Sequence, residues 1–233
     1  MSLAALIFDV DGTLAETEEA HRRAFNETFA EAGLPWVWDE PLYNRLLGVT
    51  GGKERIAAFQ RQAPREAPRL TSAEIAALHR RKTERYAALL AEGALTPRPG
   101  VTALLDRAAA RGLRLAVATT TSRPNVEALC RSCWGCTGAE LFDVIAAGDE
   151  APRKKPAPDV FLIALERLRL APGSCLAFED SAHGLRAALE AGLRVVATPS
   201  RHARDQDFTG AAVIAADLAE LDLDGLLRPS AAR

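Results

Sequence analysis

The sequence predicts an α/β fold in which a doubly wound parallel sheet is interrupted by an all-helical segment. Residues 3–8 form a short, continuous apolar run, typical of a strand buried on both faces. No convincing strand follows until about residue 96, after which short apolar runs alternate with helical patterns. We therefore expect a core domain from residues 1–15 and 96–233, and a helical domain from residues 16–95.

The helical segment is predicted to contain helices of different lengths. An apolar stripe at helical spacing indicates a helix over residues 16–32, which Gly33 can end. Shorter helices are expected over residues 40–47 and 53–62, and Thr71 can cap a long helix that runs to about residue 91.

Beyond this segment the chain alternates between strands and helices. The expected strands cover residues 113–118, 144–147, 174–178 and 193–197, with a candidate edge strand at 213–214. The expected helices cover residues 100–111, 160–168 and 182–191, and one more begins near Pro124.

Composition and charge argue against two classes of partner. The 233 residues include 29 Lys and Arg against 31 Asp and Glu, so neither nucleic acid nor an anionic membrane is expected as a partner. No apolar run reaches transmembrane length, and the N-terminus lacks the pattern of a signal peptide, which predicts a cytoplasmic protein.

Three of the four cysteines recur at every third residue, as Cys130, Cys133 and Cys136. This spacing fits either a metal or redox cluster, or small apolar residues near a helix end. No second Cys or His pair with metal-ligand spacing accompanies them, which favours the second interpretation.

Polar side chains follow the predicted strands where these end. Since the carboxyl ends of parallel strands share one edge of a sheet, residues distant in sequence should converge there. In an extended strand, residues two apart point the same way, so the first two carboxylates could address one metal or one electrophile. Taken singly, each of these residues also fits an ordinary turn or helix cap. They are Asp9, Asp11, Thr119, Lys155, Glu179 and Asp180.

In combination these motifs resemble the haloacid-dehalogenase-like (HAD) hydrolase superfamily, in its phosphatase and phosphomutase branch. The resemblance rests on Asp9-Val10-Asp11-Gly12-Thr13, Thr119, Lys155-Pro156 and Glu179-Asp180, in that order. It implies a Rossmann-like core, a helical cap inserted after the first motif, and Mg²⁺-dependent phosphoryl transfer. This architecture closes its own cleft, so a monomer is the simplest expectation.

The resemblance also implies roles. Asp9 is the expected nucleophile, forming an aspartyl-phosphate, and Asp11 is expected to protonate the leaving alkoxide and then activate water. The expected Mg²⁺ ligands are the Asp9 carboxylate, the Asp11 carbonyl and Asp180, with Glu179 acting indirectly or through a metal-bound water. Phosphate oxygens are expected to meet Lys155, Thr119 and the backbone N–H groups after Thr119.

Within the helical segment, Thr50-Gly51-Gly52-Lys53-Glu54-Arg55 opens a helix. Glycines, a helix N-terminus and two cations together suit a second phosphate, which suggests a bisphosphate substrate. The alternative is a Gly-rich turn before a solvated helix face. Glu18 and His21 would share a face that could contact sugar hydroxyls, although a lone His on a helix is ordinarily a packing or surface residue.

The closer resemblance is to the CbbY-type branch, whose members remove xylulose-1,5-bisphosphate, an inhibitor of Rubisco, and release xylulose 5-phosphate. It rests on the first motif extended to Glu18, on residues 21–26, 50–56 and 125–130, and on the residues after the second strand. It implies that the substrate is lined by Glu18, His21, Gly51, Gly52, Lys53, Arg55, Thr119, Thr120, Thr121, Ser122 and Lys155.

Two other functions stay open at this point. A β-phosphoglucomutase-like sugar phosphomutase is compatible with His21, because mutases of this branch also carry a His at the matching position. An inactive binding module is disfavoured, because a binding role needs no nucleophile at Asp9. Asp11 argues against dehalogenases and against a phosphonate hydrolase with a Schiff base at Lys53, since those relatives typically lack a carboxylate at the Asp11 position.

Overall fold

The computed structural model describes residues 3–64, 66–93 and 95–226, except for the side chains of residues 149 and 223. The strands in this part of the chain are β1 (Ala5–Phe8), β2 (Arg114–Thr119), β3 (Val144–Ala147), β4 (Cys175–Glu179), β5 (Arg194–Ala197) and β6 (Val213–Ile214). They form one parallel sheet in the order β3-β2-β1-β4-β5-β6. The predicted fold class, a doubly wound parallel sheet with an inserted helical segment, is confirmed.

The apolar run of β1 pairs on both sides. Ala5 aligns with Arg114 of β2 and with Cys175 of β4, and all four residues of β1 are fully buried. Phe8 stacks on Phe178 of β4, with ring centroids 4.7 Å apart. A strand flanked and covered in this way must be apolar throughout, which explains why its sequence does not alternate.

The described residues also form ten α-helices. They are α1 (Glu18–Glu31), α2 (Glu40–Leu46), α3 (Gly52–Gln62), α4 (Ser72–Glu92), α5 (Val101–Ala110), α6 (Arg123–Trp134), α7 (Gly138–Leu141), α8 (Asp159–Leu168), α9 (Ala182–Glu190) and α10 (Leu223–Leu226). Helices α8 and α9 share one hydrophobic core with the alternate residues Ala5 and Ile7 of β1. None of the described helices is both long and apolar enough to cross a bilayer.

The chain divides into two compact units, Met1–Glu16 with Leu95–Arg233, and Thr17–Ala94. The first contains the sheet and is called the sheet unit here. The second, the helical unit, contains α1 to α4. These limits lie within one residue of those expected from the sequence, whereas the role of the helical unit as a cap stays a prediction.

An aromatic core holds the helical unit together. Phe25 and Phe29 of α1 pack on Trp38, with ring centroids 4.6 and 4.9 Å apart. Thr71 caps α4 as expected, in a reciprocal capping box with Glu74. Helix α1 begins at Glu18, two residues later than predicted.

Candidate active site

The carboxyl ends of β1, β2 and β4 bring several predicted site residues together. Asp9 directly follows β1, the middle strand of the three, while Thr119 ends β2 and Glu179 ends β4. All three side chains are almost completely buried. The hydroxyl of Thr119 also hydrogen-bonds the Asp9 carboxylate. The sheet therefore assembles these side chains at one edge, as the parallel topology requires.

Lys155 joins two of the carboxylates. Its Nζ lies 2.6 Å from Asp9 Oδ1 and 2.6 Å from Glu179 Oε1, and the lysine is only 5% exposed. The ammonium also lies over the ring of Phe161, with Nζ 5.0 Å from the ring centroid. A buried ammonium held between two carboxylates is a fixed positive charge next to Asp9.

A third carboxylate completes an acidic cluster. One oxygen from each of Asp9, Glu179 and Asp180 lies within 4.8 Å of the others, and all three residues are buried. Three carboxylates face one ammonium, so their ionised forms leave an excess of two negative charges. Because hard divalent cations prefer oxygen ligands, this donor set and this charge fit Mg²⁺.

Burial and mutual repulsion act on the cluster when no cation offsets them. Burial raises the pKa of Asp9, with a further contribution from the charge of Asp11, and these outweigh the lowering by Lys155. Burial raises the pKa of Glu179 to about 8, although Lys155 lowers it in part. For Lys155, burial lowers the pKa, but Asp9 and Glu179 raise it by more, so the ammonium stays charged.

The backbone turns sharply between the two aspartates of the first motif. The N–H groups of Thr13 and Leu14 both donate to the carbonyl of Val10, at 3.2 and 2.9 Å. Gly12 has a φ of +81°, and a side chain at this position would collide with Asp180 Oδ2. Asp11, which is partly exposed, thus lies in a tight loop and not in the strand, and simple strand alternation fails here.

The segment after β2 forms a loop that leads into α6. Thr119 Oγ1 accepts from the N–H of Thr121 at 3.2 Å, and Thr121 Oγ1 accepts from Asn125 at 2.9 Å. Ser122 is the N-cap residue of α6, but its hydroxyl makes no capping bond. That hydroxyl is buried and has no hydrogen-bond partner among the described residues. The loop therefore offers a polar group and a helix N-terminus, which together suit an anion.

In the helical unit, Tyr43 connects two of the predicted substrate residues. Its hydroxyl donates to Glu18 Oε2 at 2.6 Å and accepts from Arg55 Nη1 at 3.0 Å. The guanidinium of Arg55 also lies over the Tyr43 ring, 5.2 Å from its centroid. Glu18 on α1 and Arg55 on α3 are thus held in one network, through a residue that the sequence analysis did not select.

His21 lies in a second network of the same unit. Its ring stacks on Tyr86, with centroids 4.0 Å apart, and its Nδ1 lies 2.6 Å from Nζ of the buried Lys82. The two nitrogens are within hydrogen-bond distance, and which of them donates depends on the tautomer of His21. His21 is therefore held between the amino group of Lys82 and the ring of Tyr86.

The residues predicted to bind a second phosphate lie at the start of α3. Gly51 has a φ of +94°, and a side chain there would collide with the carboxylate of Glu54. A side chain at Gly52 would require the ring of His79 to move. Lys53 follows in the first turn and is partly exposed. The positive φ therefore favours glycine at position 51, whatever binds at this helix end.

The cysteines form no cluster with a metal-ligand arrangement among the described residues. All four are free thiols. Burial raises the pKa of Cys130 to about 12 and that of Cys133 to about 11. Both belong to α6, and this burial disfavours the thiolate, which is the reactive and metal-binding form.

Comparison with known proteins gives a consistent result. Residues 3–192 match the model of the haloacid dehalogenase-like hydrolase family. The chain is 54% identical over 219 residues to the CbbY protein of Cereibacter sphaeroides, and the match covers 94% of each chain. It is 56% identical over 211 residues to the CbbY protein of Rhodobacter capsulatus, and this match covers 91% of the chain and 92% of the relative.

A solved structure agrees with these relatives. A mutant CbbY from Rhodobacter sphaeroides, in complex with xylulose-(1,5)bisphosphate, is 53% identical to the chain and superposes with a TM-score of 0.91. The match covers 94% of this chain and 96% of that one. With the family model matched over most of its length, the chain belongs to the haloacid dehalogenase-like hydrolases.

Proposed function

We propose that this hydrolase is a Mg²⁺-dependent phosphatase that converts xylulose-1,5-bisphosphate to xylulose 5-phosphate and phosphate through an aspartyl-phosphate. The observation that carries the proposal is the buried contact of Asp9 with Lys155, beside Glu179 and Asp180. The similar CbbY structure that holds xylulose-(1,5)bisphosphate supports the choice of substrate.

Asp9 is the nucleophile in this proposal. A phosphoryl group carries nearly two negative charges and would repel a bare carboxylate. Lys155, which stays protonated between Asp9 and Glu179, offsets part of that repulsion and fixes the direction of the carboxylate. An oxygen of Asp9 attacks phosphorus while the bond between phosphorus and the leaving sugar oxygen breaks, which gives the aspartyl-phosphate.

Asp9 and Asp180 are the proposed side-chain ligands of Mg²⁺, together with the backbone carbonyl of Asp11, while Glu179 acts indirectly. Bound there, the ion would neutralise charge on the transferring phosphoryl group. The buried acidic cluster and its excess negative charge support this assignment. Lys155 and Glu179 in turn restrict Asp9 to one orientation.

Asp11 is the proposed proton donor. It gives its proton to the leaving sugar oxygen, and its carboxylate then takes a proton from the water that attacks the aspartyl-phosphate. The tight loop at Val10 to Leu14 supports this division of labour, because it separates the direction of Asp11 from that of Asp9. Partial exposure leaves Asp11 accessible to both substrate and water.

Residues after β2 would hold the reacting phosphate. Thr119, Thr120, Thr121 and Ser122 would supply hydroxyl and backbone N–H donors, with Lys155 as the cation. The buried Ser122 hydroxyl without a partner supports this part of the proposal, because an unpaired buried donor is costly unless a ligand meets it.

The helical unit would hold the remainder of the substrate. Gly51, Gly52, Lys53 and Arg55 would bind the second phosphate at the start of α3. Glu18 and His21 would meet the sugar hydroxyls. Their polarity supports that role, because a carboxylate accepts hydrogen bonds and an imidazole can accept or donate them.

A phosphate-release screen tests the proposal. Purified protein is stripped of metal with EDTA and assayed over sugar mono- and bisphosphates, with and without added Mg²⁺, next to an assay that converts β-glucose 1-phosphate to glucose 6-phosphate. We expect Mg²⁺-restored release of phosphate from xylulose-1,5-bisphosphate, at a kcat/KM above that for any monophosphate. Isomerisation of the glucose phosphate without phosphate release would instead establish a mutase.

A further inference from the structure

Arg98 forms a hydrogen-bonded junction behind the acidic cluster of the sheet unit. Its Nη1 donates to the carbonyls of Gly12 and Thr198, and its Nη2 donates to those of Pro199 and Ala216. The side chain is only 8% exposed. Four carbonyls from three separate segments therefore converge on one guanidinium.

Arg98 also contacts the end of the tight loop that contains Asp11. The backbone N–H of Arg98 donates to the carbonyl of Leu14 at 2.8 Å, and Nε lies 3.7 Å from Glu16 Oε1. Glu16 in turn accepts from the N–H of Arg201. The guanidinium thus donates four hydrogen bonds to carbonyls from two nitrogens and forms an ion pair through Nε, an arrangement that a lysine with three donors on one nitrogen cannot reproduce.

The carbonyls bound by Arg98 connect the loop of Asp11 with the end of β4. The N–H of Thr198 donates to the carbonyl of Glu179 at 2.8 Å, and that of Ser200 donates to the carbonyl of Asp180 at 3.4 Å. The segment that follows β5 is thereby tied to two members of the acidic cluster. Arg98 adds the carbonyl of Gly12, the residue next to Asp11, to the same block.

We propose that Arg98 is a positioning residue that holds the loop of Asp11 in the orientation needed to protonate the leaving group. This inference rests on the proposed function, specifically on the acid role of Asp11. Charge-assisted hydrogen bonds from a buried guanidinium are strong and directional, so they restrict the Gly12 carbonyl more than a neutral donor would. Asp9 has independent support from Lys155 and Thr119, and does not depend on Arg98 in this way.

The test compares two leaving groups. A sugar alkoxide needs a proton as it leaves, whereas the p-nitrophenolate of p-nitrophenyl phosphate leaves without one. kcat/KM covers only the steps up to departure of the leaving group, so it isolates the acid role from later attack by water. The ratio of the two kcat/KM values, sugar bisphosphate over p-nitrophenyl phosphate, is also independent of the fraction of folded enzyme.

The variants are Arg98→Met and Arg98→Lys, with Asp11→Asn as the reference and Arg111→Met as the control. Arg111 donates to Asp224 at 2.7 Å on the surface of the same unit and should leave the ratio unchanged. We expect Asp11→Asn to lower the ratio about 100-fold or more, and both Arg98 variants to lower it about 10-fold or more. Arg98→Lys keeps the charge and the approximate length of the side chain, so the ratio can be measured with this variant if Arg98→Met fails to fold.

If the Arg98 variants lose kcat/KM equally on both substrates while Asp11→Asn lowers the ratio, the positioning role of Arg98 is overturned and the acid role of Asp11 stands. If Asp11→Asn itself lowers both substrates equally, the acid role fails and the inference on Arg98 fails with it. Absence of sugar bisphosphate turnover by the wild-type enzyme would instead refute the proposed function.

Discussion

Replacing Lys155 by methionine should destabilise the metal-free protein by about 3–5 kcal/mol near neutral pH, as for other buried ion pairs that lose one partner. Asp9 and Glu179 each lie 2.6 Å from Nζ, and their oxygens are within 4.8 Å of each other. At an effective dielectric constant of about 20, two carboxylates at about this separation repel each other by about 3–4 kcal/mol. Protonation of Glu179, whose pKa burial already raises to about 8, relieves this repulsion, but the free energy of keeping that proton grows with pH.

The loss should grow with pH. Lys155 lowers the pKa of both carboxyl groups, so without it they rise further above their ordinary values. A carboxyl group whose pKa is raised by folding binds its proton more tightly in the folded state than in the unfolded state. The free energy of unfolding therefore falls as the pH rises from the pKa of the unfolded state to that of the folded state. For Glu179 the difference from wild type begins above about pH 8, where the wild-type group ionises, and a proton retained by the variant then makes the difference grow by about 1.4 kcal/mol per pH unit.

Urea denaturation in EDTA at about pH 7 and about pH 9 measures both effects, because the linear extrapolation gives the free energy of unfolding at each pH. The matched control is Lys154→Met, one residue away, whose amino group donates to the carbonyl of Gly148. This control should cost about 1 kcal/mol at either pH. A loss for Lys155→Met that is the same at both pH values, or below about 1 kcal/mol at the higher one, would refute the reasoning.

Three further predictions concern function. Asp9→Asn should lower turnover about a thousandfold or more yet retain sugar bisphosphate binding in calorimetry; substantial remaining activity would exclude Asp9 as the nucleophile. Lys53→Ala and Tyr43→Phe should each raise KM for the bisphosphate about 10-fold with little change in kcat, because the first removes a cation and the second two hydrogen bonds. Equal effects on a monophosphate would remove the argument for a second phosphate site. Cys133, with a pKa raised to about 11 by burial, should react slowly with iodoacetamide at about pH 8, and Cys133→Ser should retain activity; rapid alkylation with loss of activity would contradict its inert role.

The sequence predicted the sheet well because its strands are buried on both faces. Continuous apolar runs such as that of β1 cannot be solvated strands, and polar residues at their ends mark the edge where ligands bind. Asp9, Thr119 and Glu179 could therefore be expected at one edge before any coordinates. The start of α1 was predicted two residues too early, because Glu16 contacts Arg98 and the N–H of Arg201 instead of continuing the helix.

Contacts made by the polar end of an otherwise apolar side chain were not predictable from periodicity. Tyr43 occupies a buried helix position, and nothing in the pattern shows that its hydroxyl meets Glu18 and Arg55. For Lys82 the sequence does contain a signal, because this lysine lies on the apolar stripe of α4, four residues from Leu78 and from Tyr86. No sequence pattern indicates the contacts of Arg98, because its hydrogen-bond partners are backbone carbonyls from three distant segments.

The central position of β1 has a consequence for biosynthesis. Its neighbours β2 and β4 begin 109 and 170 positions later in the chain, as the pairing of Ala5 with Arg114 and Cys175 shows. At ribosomal rates of about 5–20 residues per second, the nascent β1 waits roughly 10–30 s for its second partner. During that interval an apolar strand with two unsatisfied edges is prone to aggregate unless a chaperone shields it. The strand that leads to Asp9 is therefore translated before its partners, and no shortened product that ends before β4 can assemble the acidic cluster.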